Sequence, residues 1–219
     1  MAVSIRYLFS LRIVYYVFSG ISSKNAFEIS KNKSYNISVD NQESGRIASM
    51  FQVNDVIIYG TQGVCRITGT EEKMLSGKKR TYFVLKPVSD KGSTIFVPTD
   101  NELVLKKMRR LLTKDEIHKL IDSMRSEKAI WVANENERKE LYKSILAKGD
   151  PIEMIKMIKA IYAHKKEREA DGKRLHMSDE RFFKDAEQIL YNEFQYVLDL
   201  AGKDDLMTYI FARIEKQDT

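Results

Sequence analysis

Residues 51–98, FQVNDVIIYGTQGVCRITGTEEKMLSGKKRTYFVLKPVSDKGSTIFVP, constrain the fold most. They break into β-branched and aromatic runs too short for helices, mostly ended by turns bearing glycine or proline. Val53, Val56, Ile57 and Ile58 make a first strand, stopped by Tyr59-Gly60-Thr61-Gln62-Gly63. Val64-Cys65-Arg66-Ile67 resumes, with Val64 and Arg66 on one face and Cys65 and Ile67 on the other. Ser76-Gly77 is a hairpin turn between a strand ending near Met74 and another over residues 81–85. Asp90-Lys91-Gly92-Ser93 turns the chain into Ile95-Phe96-Val97, and Pro98 closes that strand. Together these runs predict a small, strongly bent antiparallel module over residues 50–105, of SH3- or Tudor-like type. Folds of that kind bind partners through exposed edges and loops, and the fold alone fixes no function.

From about residue 110 the pattern becomes helical. Thr113-Lys-Asp-Glu116 has capping-box spacing and opens a helix to about Arg125, with Ile117, Leu120, Ile121 and Met124 on one face. A second helix begins near Asn134 or Glu135, carries Leu141, Ile145 and Leu146, and ends at Gly149. Asp150-Pro151 is an N-cap followed by proline at the first helical position. The helix it opens is apolar around much of its circumference and is expected at the centre. Asp171-Gly172 breaks the chain, Ser178 caps a long helix to about Leu200, and Gly202 precedes a last helix through Ile214. The expected fold is therefore α+β: the β-module, then a compact five-helix domain over residues 110–219.

Charge is distributed unevenly along this plan. Lys+Arg against Asp+Glu is 6 to 3 in residues 1–49, 7 to 6 in 50–104, 19 to 12 in 105–177 and 5 to 10 in 178–219. A near-neutral β-module thus precedes a basic middle and an acidic end. Either one basic face meets nucleic acid, or the excess is the ordinary Lys/Glu surface of helices. Cys65 is the only cysteine, which excludes an intrachain disulfide and fits a reducing cytosol.

Residues 1–49 fit neither part. Arg6 followed by an apolar run raises a signal peptide or membrane anchor, but Arg12 interrupts the run before it can span a bilayer. The polar stretch that follows has no helical or strand periodicity. Gly45-Arg46 permits a purine-rich coding sequence like a ribosome-binding site, three codons before Met50. Residues 1–49 are accordingly expected to be a non-native or disordered extension, with a weakly membrane-associating arm as the other reading.

Trp131, the sole tryptophan, precedes a helix on which Arg138, Lys139, Tyr142 and Lys143 recur at helical spacing. An indole beside cations can wedge against base edges while Lys and Arg hold phosphates, or it can staple a helix or a domain interface. Lys165, Lys166 and Arg168, then Lys173 and Arg174, surround the break at Gly172 and offer either phosphate contacts or a solvated helix end. Catalysis finds no footing: there is no phosphate-binding glycine loop, no dinucleotide fingerprint and no His/Cys metal spacing. His118, His164 and His176 are scattered, and Cys65 sits in an apolar strand. No enzyme activity, cofactor or metal is expected.

The β-module resembles the RNA-polymerase-interacting domain of CarD/CdnL-type bacterial transcription regulators, which the transcription-repair coupling factor shares. The resemblance rests on Phe51, Asn54-Asp55, Val56, Ile58 and Tyr59 in the opening strand and on the Ser76-Gly77 hairpin. Tyr82-Phe83-Val84-Leu85 and Val97-Pro98-Thr99-Asp100-Asn101 complete it. Asn54 replaces a usual glycine, Gly60 a frequent proline and Gln62 a frequent histidine. The resemblance implies docking on the polymerase β subunit through positions held here by Lys73 and Phe96, although Phe96 reads equally well as core. It also implies that Trp131 meets promoter DNA near the melting junction, with Leu146-Ala-Lys-Gly149-Asp150 matching the family run after it. In the family an arginine and a tyrosine follow the tryptophan closely, whereas Arg138 and Tyr142 come later here. The expected function is a cytoplasmic regulator, monomeric off polymerase and independent of membranes, that modulates the open complex. A polymerase-binding adaptor without DNA contact is the alternative.

Overall fold

A computed structural model describes residues 46–75, 78–89, 92–124, 126–129 and 131–215. The expectations for residues 1–45, for the turn residues Ser76, Gly77, Asp90 and Lys91, and for Arg125 lie outside these. The chain divides into two compact units, which meet in sequence between Leu111 and Leu112, with Ala147–Gly149 grouped with the first.

In the first unit, strands β1 (Val56–Tyr59), β2 (Val64–Leu75), β3 (Lys78–Pro87), β4 (Ile95–Pro98) and β5 (Met108–Arg110) form one antiparallel sheet. Their order is β4-β3-β2-β1-β5. Helix α1 (Glu102–Leu105) separates the last two strands. Cys65, Ile67, Phe83, Leu85 and Val97 point inward with Ile57, Leu105 and Met108, and Ile47, Ala48 and Phe51 pack against them.

Local chemistry explains the departures from the expected pattern. Val53 does not join β1, because Asn54 takes φ 79 and gives its N–H to the Ile67 carbonyl at 2.7 Å. That left-handed backbone suits glycine best and asparagine next, which accounts for this residue where glycine is usual. Gly60 has φ 44, a conformation closed to proline, so this turn takes its own path after β1. Asn101 accepts from the Val104 N–H and so caps α1. Helix α1 and strand β5 had no distinct signal, being too short to show a period.

A bulge in β2 sets which side chains face out. Ile67 pairs with Leu85 but Gly69 pairs with Val84, leaving Thr68 as the extra residue, its hydroxyl donating to the Val84 carbonyl at 3.2 Å. Beyond it Lys73 pairs with Arg80, and the ladder runs on to Leu75 and Lys78.

The second unit contains α2 (Lys114–Ser123), α3 (Glu135–Lys148), α4 (Pro151–Ala170), α5 (Met177–Leu198) and α6 (Lys203–Glu215). Both bonds of the Thr113/Glu116 capping box form, and Asp150 accepts from the N–H groups of Ile152 and Glu153. Ser178 is not the cap of α5: the helix already begins at Met177, with His176 in the capping position and no side-chain capping bond. Asp199, in the left-handed conformation with φ 56, ends it. Helix α4 buries Met154, Ile155, Met157, Ile158, Ala160 and Ile161, as its apolar circumference predicts. Around it pack Ile117 and Ile121 of α2, Tyr142 and Ile145 of α3, Ile189 and Phe194 of α5, and Leu206 and Ile210 of α6. Two polar contacts tie α2 to α6: His118 with Tyr209, and a bidentate Arg213–Asp122 pair with both bonds at 2.7 Å.

Candidate functional site

Two candidate surfaces stand out, one in each unit. In the sheet, pairing places Glu71, Lys73, Tyr82, Val84, Phe96 and Pro98 on one face, because Val84 opposes both Gly69 and Phe96 while Tyr82 opposes Glu71 and Pro98. Their inward neighbours Phe83, Leu85 and Val97 are buried. Phe96 is therefore not core; 38% of it is exposed. The Lys73 ammonium lies 3.1 Å from its ring centroid, and Glu71 stands 3.8 Å from the same Nζ. An amine over an aromatic face gains a cation–π attraction of about 0.5–1 kcal/mol at an exposed site. Lys73 and Phe96, which sequence separates by more than twenty residues, thus form one apolar–cationic patch, with Arg80 paired to Asp100 at 3.3 Å on the same strand system.

In the helical unit, Trp131 is half-buried and its ring has two close neighbours. His164 of α4 lies 3.9 Å away between ring centroids, tilted by 31°, and the Arg138 guanidinium carbon of α3 lies 4.3 Å from the indole centroid. Arg138 is only 3% exposed. Its Nε and Nη2 donate to the two carboxylate oxygens of Asp179 at 3.1 and 3.0 Å, and Nη1 donates to the carbonyls of Val132 and Ala133. Asp179, on the first turn of α5, is fully buried. Burial pushes the His164 imidazole pKa down, opposed by its contact with Glu167 and assisted by the positive charges of Arg138 and Arg168.

This geometry corrects part of the sequence expectation. Arg138 is no surface cation for phosphate; its fork is already filled by one carboxylate and two carbonyls. Tyr142, one turn on, is fully buried and meets Phe182 edge-on, so the outward side of α3 belongs to Lys139 and Lys143. The late position of Arg138 relative to Trp131 is closed in space, since the chain folds back over the ring.

The other expected cations stay at or near the surface with local partners. Lys139 pairs with Glu135 at 2.5 Å and Lys143 with Glu140 at 2.7 Å. Lys165 and Lys166 share Glu169, and Lys173 pairs with Asp171. Arg168 Nε donates to the Arg174 carbonyl at 2.6 Å, drawing the loop after Gly172 around the end of α4. Exposed pairs of this kind are worth at most about 1 kcal/mol, so they hold these side chains only loosely. His164, Asp179 and Lys159 were missed as partners in buried contacts. Nothing in a helix-surface pattern reveals that Arg138 meets a carboxylate 41 residues away. Among the described residues no group of three or more His, Cys, Asp or Glu is placed to hold a metal ion.

An exposed aromatic ring beside a cation on one sheet face is the kind of surface on which protein partners dock. Residues 51–112 match the family model of the CarD-like/TRCF RID domain, and this part of the chain is a CarD-like RNA-polymerase-interacting domain. The match ends where the helical unit begins. The match points to transcription and to RNA polymerase as the partner of this domain. No curated protein matches the chain. No helix among the described residues is long and apolar enough to cross a membrane.

Proposed function

We propose that the protein is a transcription regulator, cytoplasmic and not an enzyme, that docks on the RNA polymerase β subunit through its SH3/Tudor-like module and touches promoter DNA through its helical unit. The reading is carried by one juxtaposition in the chain: a polymerase-interacting domain followed by a second unit whose sole tryptophan is half-buried near a run of cations. In the α4 turns after His164 come Lys165, Lys166 and Arg168, with Lys173 and Arg174 in the next loop. Docking centres on Phe96 and Lys73, and DNA contact on Trp131 with these cations, Lys139 and Lys143. Tethering to polymerase raises the effective concentration of the second surface, so a weak DNA contact suffices. An interaction made only with the melted, bent promoter then shifts the population toward the open complex. The protein acts as a monomer in this scheme.

The local pairing of Lys139, Lys143 and Lys166 favours a second reading, an adaptor that binds polymerase without touching DNA. One experiment separates them. Phe96→Ala should weaken polymerase association without lowering the melting temperature. Trp131→Ala should leave association intact and shorten promoter open-complex lifetime roughly tenfold, the effect of losing about 1.4 kcal/mol of contact made only with the melted promoter. An unchanged lifetime in a folded Trp131→Ala protein favours the adaptor. Unchanged polymerase association in the Phe96→Ala, Lys73→Ala double variant refutes the docking face.

A further inference from the structure

Two groups lie against the ring of Trp131. His164 lies at a centroid separation of 3.9 Å from the indole, tilted by 31°. The Arg138 guanidinium carbon sits over the ring, 4.3 Å from its centroid. It is not free to drift, because the bidentate bond to Asp179 fixes its plane and the bonds to Val132 and Ala133 fix the backbone directly after the ring. Two helices thus meet the ring, α3 through Arg138 and α4 through His164, and α5 supplies the Asp179 that holds Arg138. Glu167 and Arg168 from α4 and Arg138 from α3 are the charged groups acting on the imidazole, and His176, near Asp179 in sequence, acts on Glu135 at the start of α3.

We propose that the Arg138–Asp179 pair and His164 are positioning residues that sandwich Trp131, so that the indole offers its edge, not its face, to a nucleic acid. In that sandwich the ring cannot stack on an unpaired base without displacing His164 or Arg138. It can press its edge against the edges of base pairs, as a wedge in a groove does. The inference rests on the DNA-contact reading for its functional half. Its structural half, the fixed ring, stands by itself.

Trp131 is the only tryptophan, so its emission in the full chain reports the sandwich directly. Loss of one face contact of this kind changes an equilibrium by up to about tenfold. His164→Ala should shift the emission to the red, admit iodide quenching and shorten open-complex lifetime by up to about tenfold. His164→Phe, which restores a flat face without the imidazole, should recover the emission and the protection from iodide. Asp179→Asn tests the other face by the same readings where that protein folds; His164→Ala carries the test if it does not. The lifetime defect of the His164→Ala, Trp131→Ala double variant should equal that of Trp131→Ala alone. Unchanged emission and iodide access in folded His164→Ala overturns the proposal, as does a double variant whose defects multiply. If Trp131→Ala leaves the lifetime unaltered, the DNA reading fails, and emission alone then decides the positioning.

Discussion

Lys159 provides a test with a definite sign. It lies on α4 among the core residues, 3% exposed, and donates to the Met124 carbonyl at 3.1 Å and to the Glu127 carbonyl. It therefore closes the end of α2, whose last carbonyls have no partner within the helix. Burial lowers its pKa from 10.5 to about 8, against the opposing pull of Glu127. Below pH 8 the ammonium is charged in both folded and unfolded chains, and the cost of burying it is fully present. Between about pH 8 and pH 10.5 the folded chain releases the proton while the unfolded chain keeps it, so stability rises with pH. A displacement of this size corresponds to roughly 3 kcal/mol as an upper bound. Lys159→Met removes the titrating group at similar volume; losing the two carbonyl contacts adds a cost that does not depend on pH. Urea unfolding followed by Trp131 emission reports the unit that contains Lys159. The wild-type protein should gain roughly 2–3 kcal/mol relative to Lys159→Met as pH rises from 7 to 10. A difference that stays flat, or falls, refutes the account of this lysine.

Burial pushes the Cys65 thiol up to about 11, so thiol reagents at pH 8 should react only at the rate at which the β-unit opens; prompt labelling of the native protein would contradict its placement. The Asp122–Arg213 pair is about a third exposed on each side, 34% and 33%, so a double-mutant cycle with Asp122→Asn and Arg213→Gln should give about 0.5–1 kcal/mol, shrinking as salt is added. A coupling well above that range would mean the seam between α2 and α6 is drier than its exposure implies.

The legible parts of the fold are those written in local chemistry. Thr113/Glu116 and Asp150-Pro151 signal helix starts because capping is a contact between near neighbours in sequence. The strands over Val56–Tyr59 and Lys78–Pro87 follow from β-branched runs between turns. The candidate site was legible in its residues and not in their partners. Trp131 and Arg138 stood out, but a charged residue on a helix reads as surface, and Arg138 is buried only because Asp179 comes to it from α5. Phe96 was ambiguous for a related reason. Whether a strand residue faces in or out depends on the register of its neighbours, and that register passes through a bulge that no spacing announces.

The bulge at Thr68 works as a phase adjuster. Were β2 to pair without it, Thr68 would oppose Val84 and Lys73 would oppose Lys79, which carries Lys73 to the side of the sheet that holds Phe83 and Leu85. Deleting Thr68 would instead leave every later side chain on the face it now occupies. The two halves of β2 are thus clocked separately, the first by the core and the second by the outward-facing ribbon. A slip of register at this one position can rewrite the ribbon's outward lettering while Cys65 and Ile67 keep their places in the core.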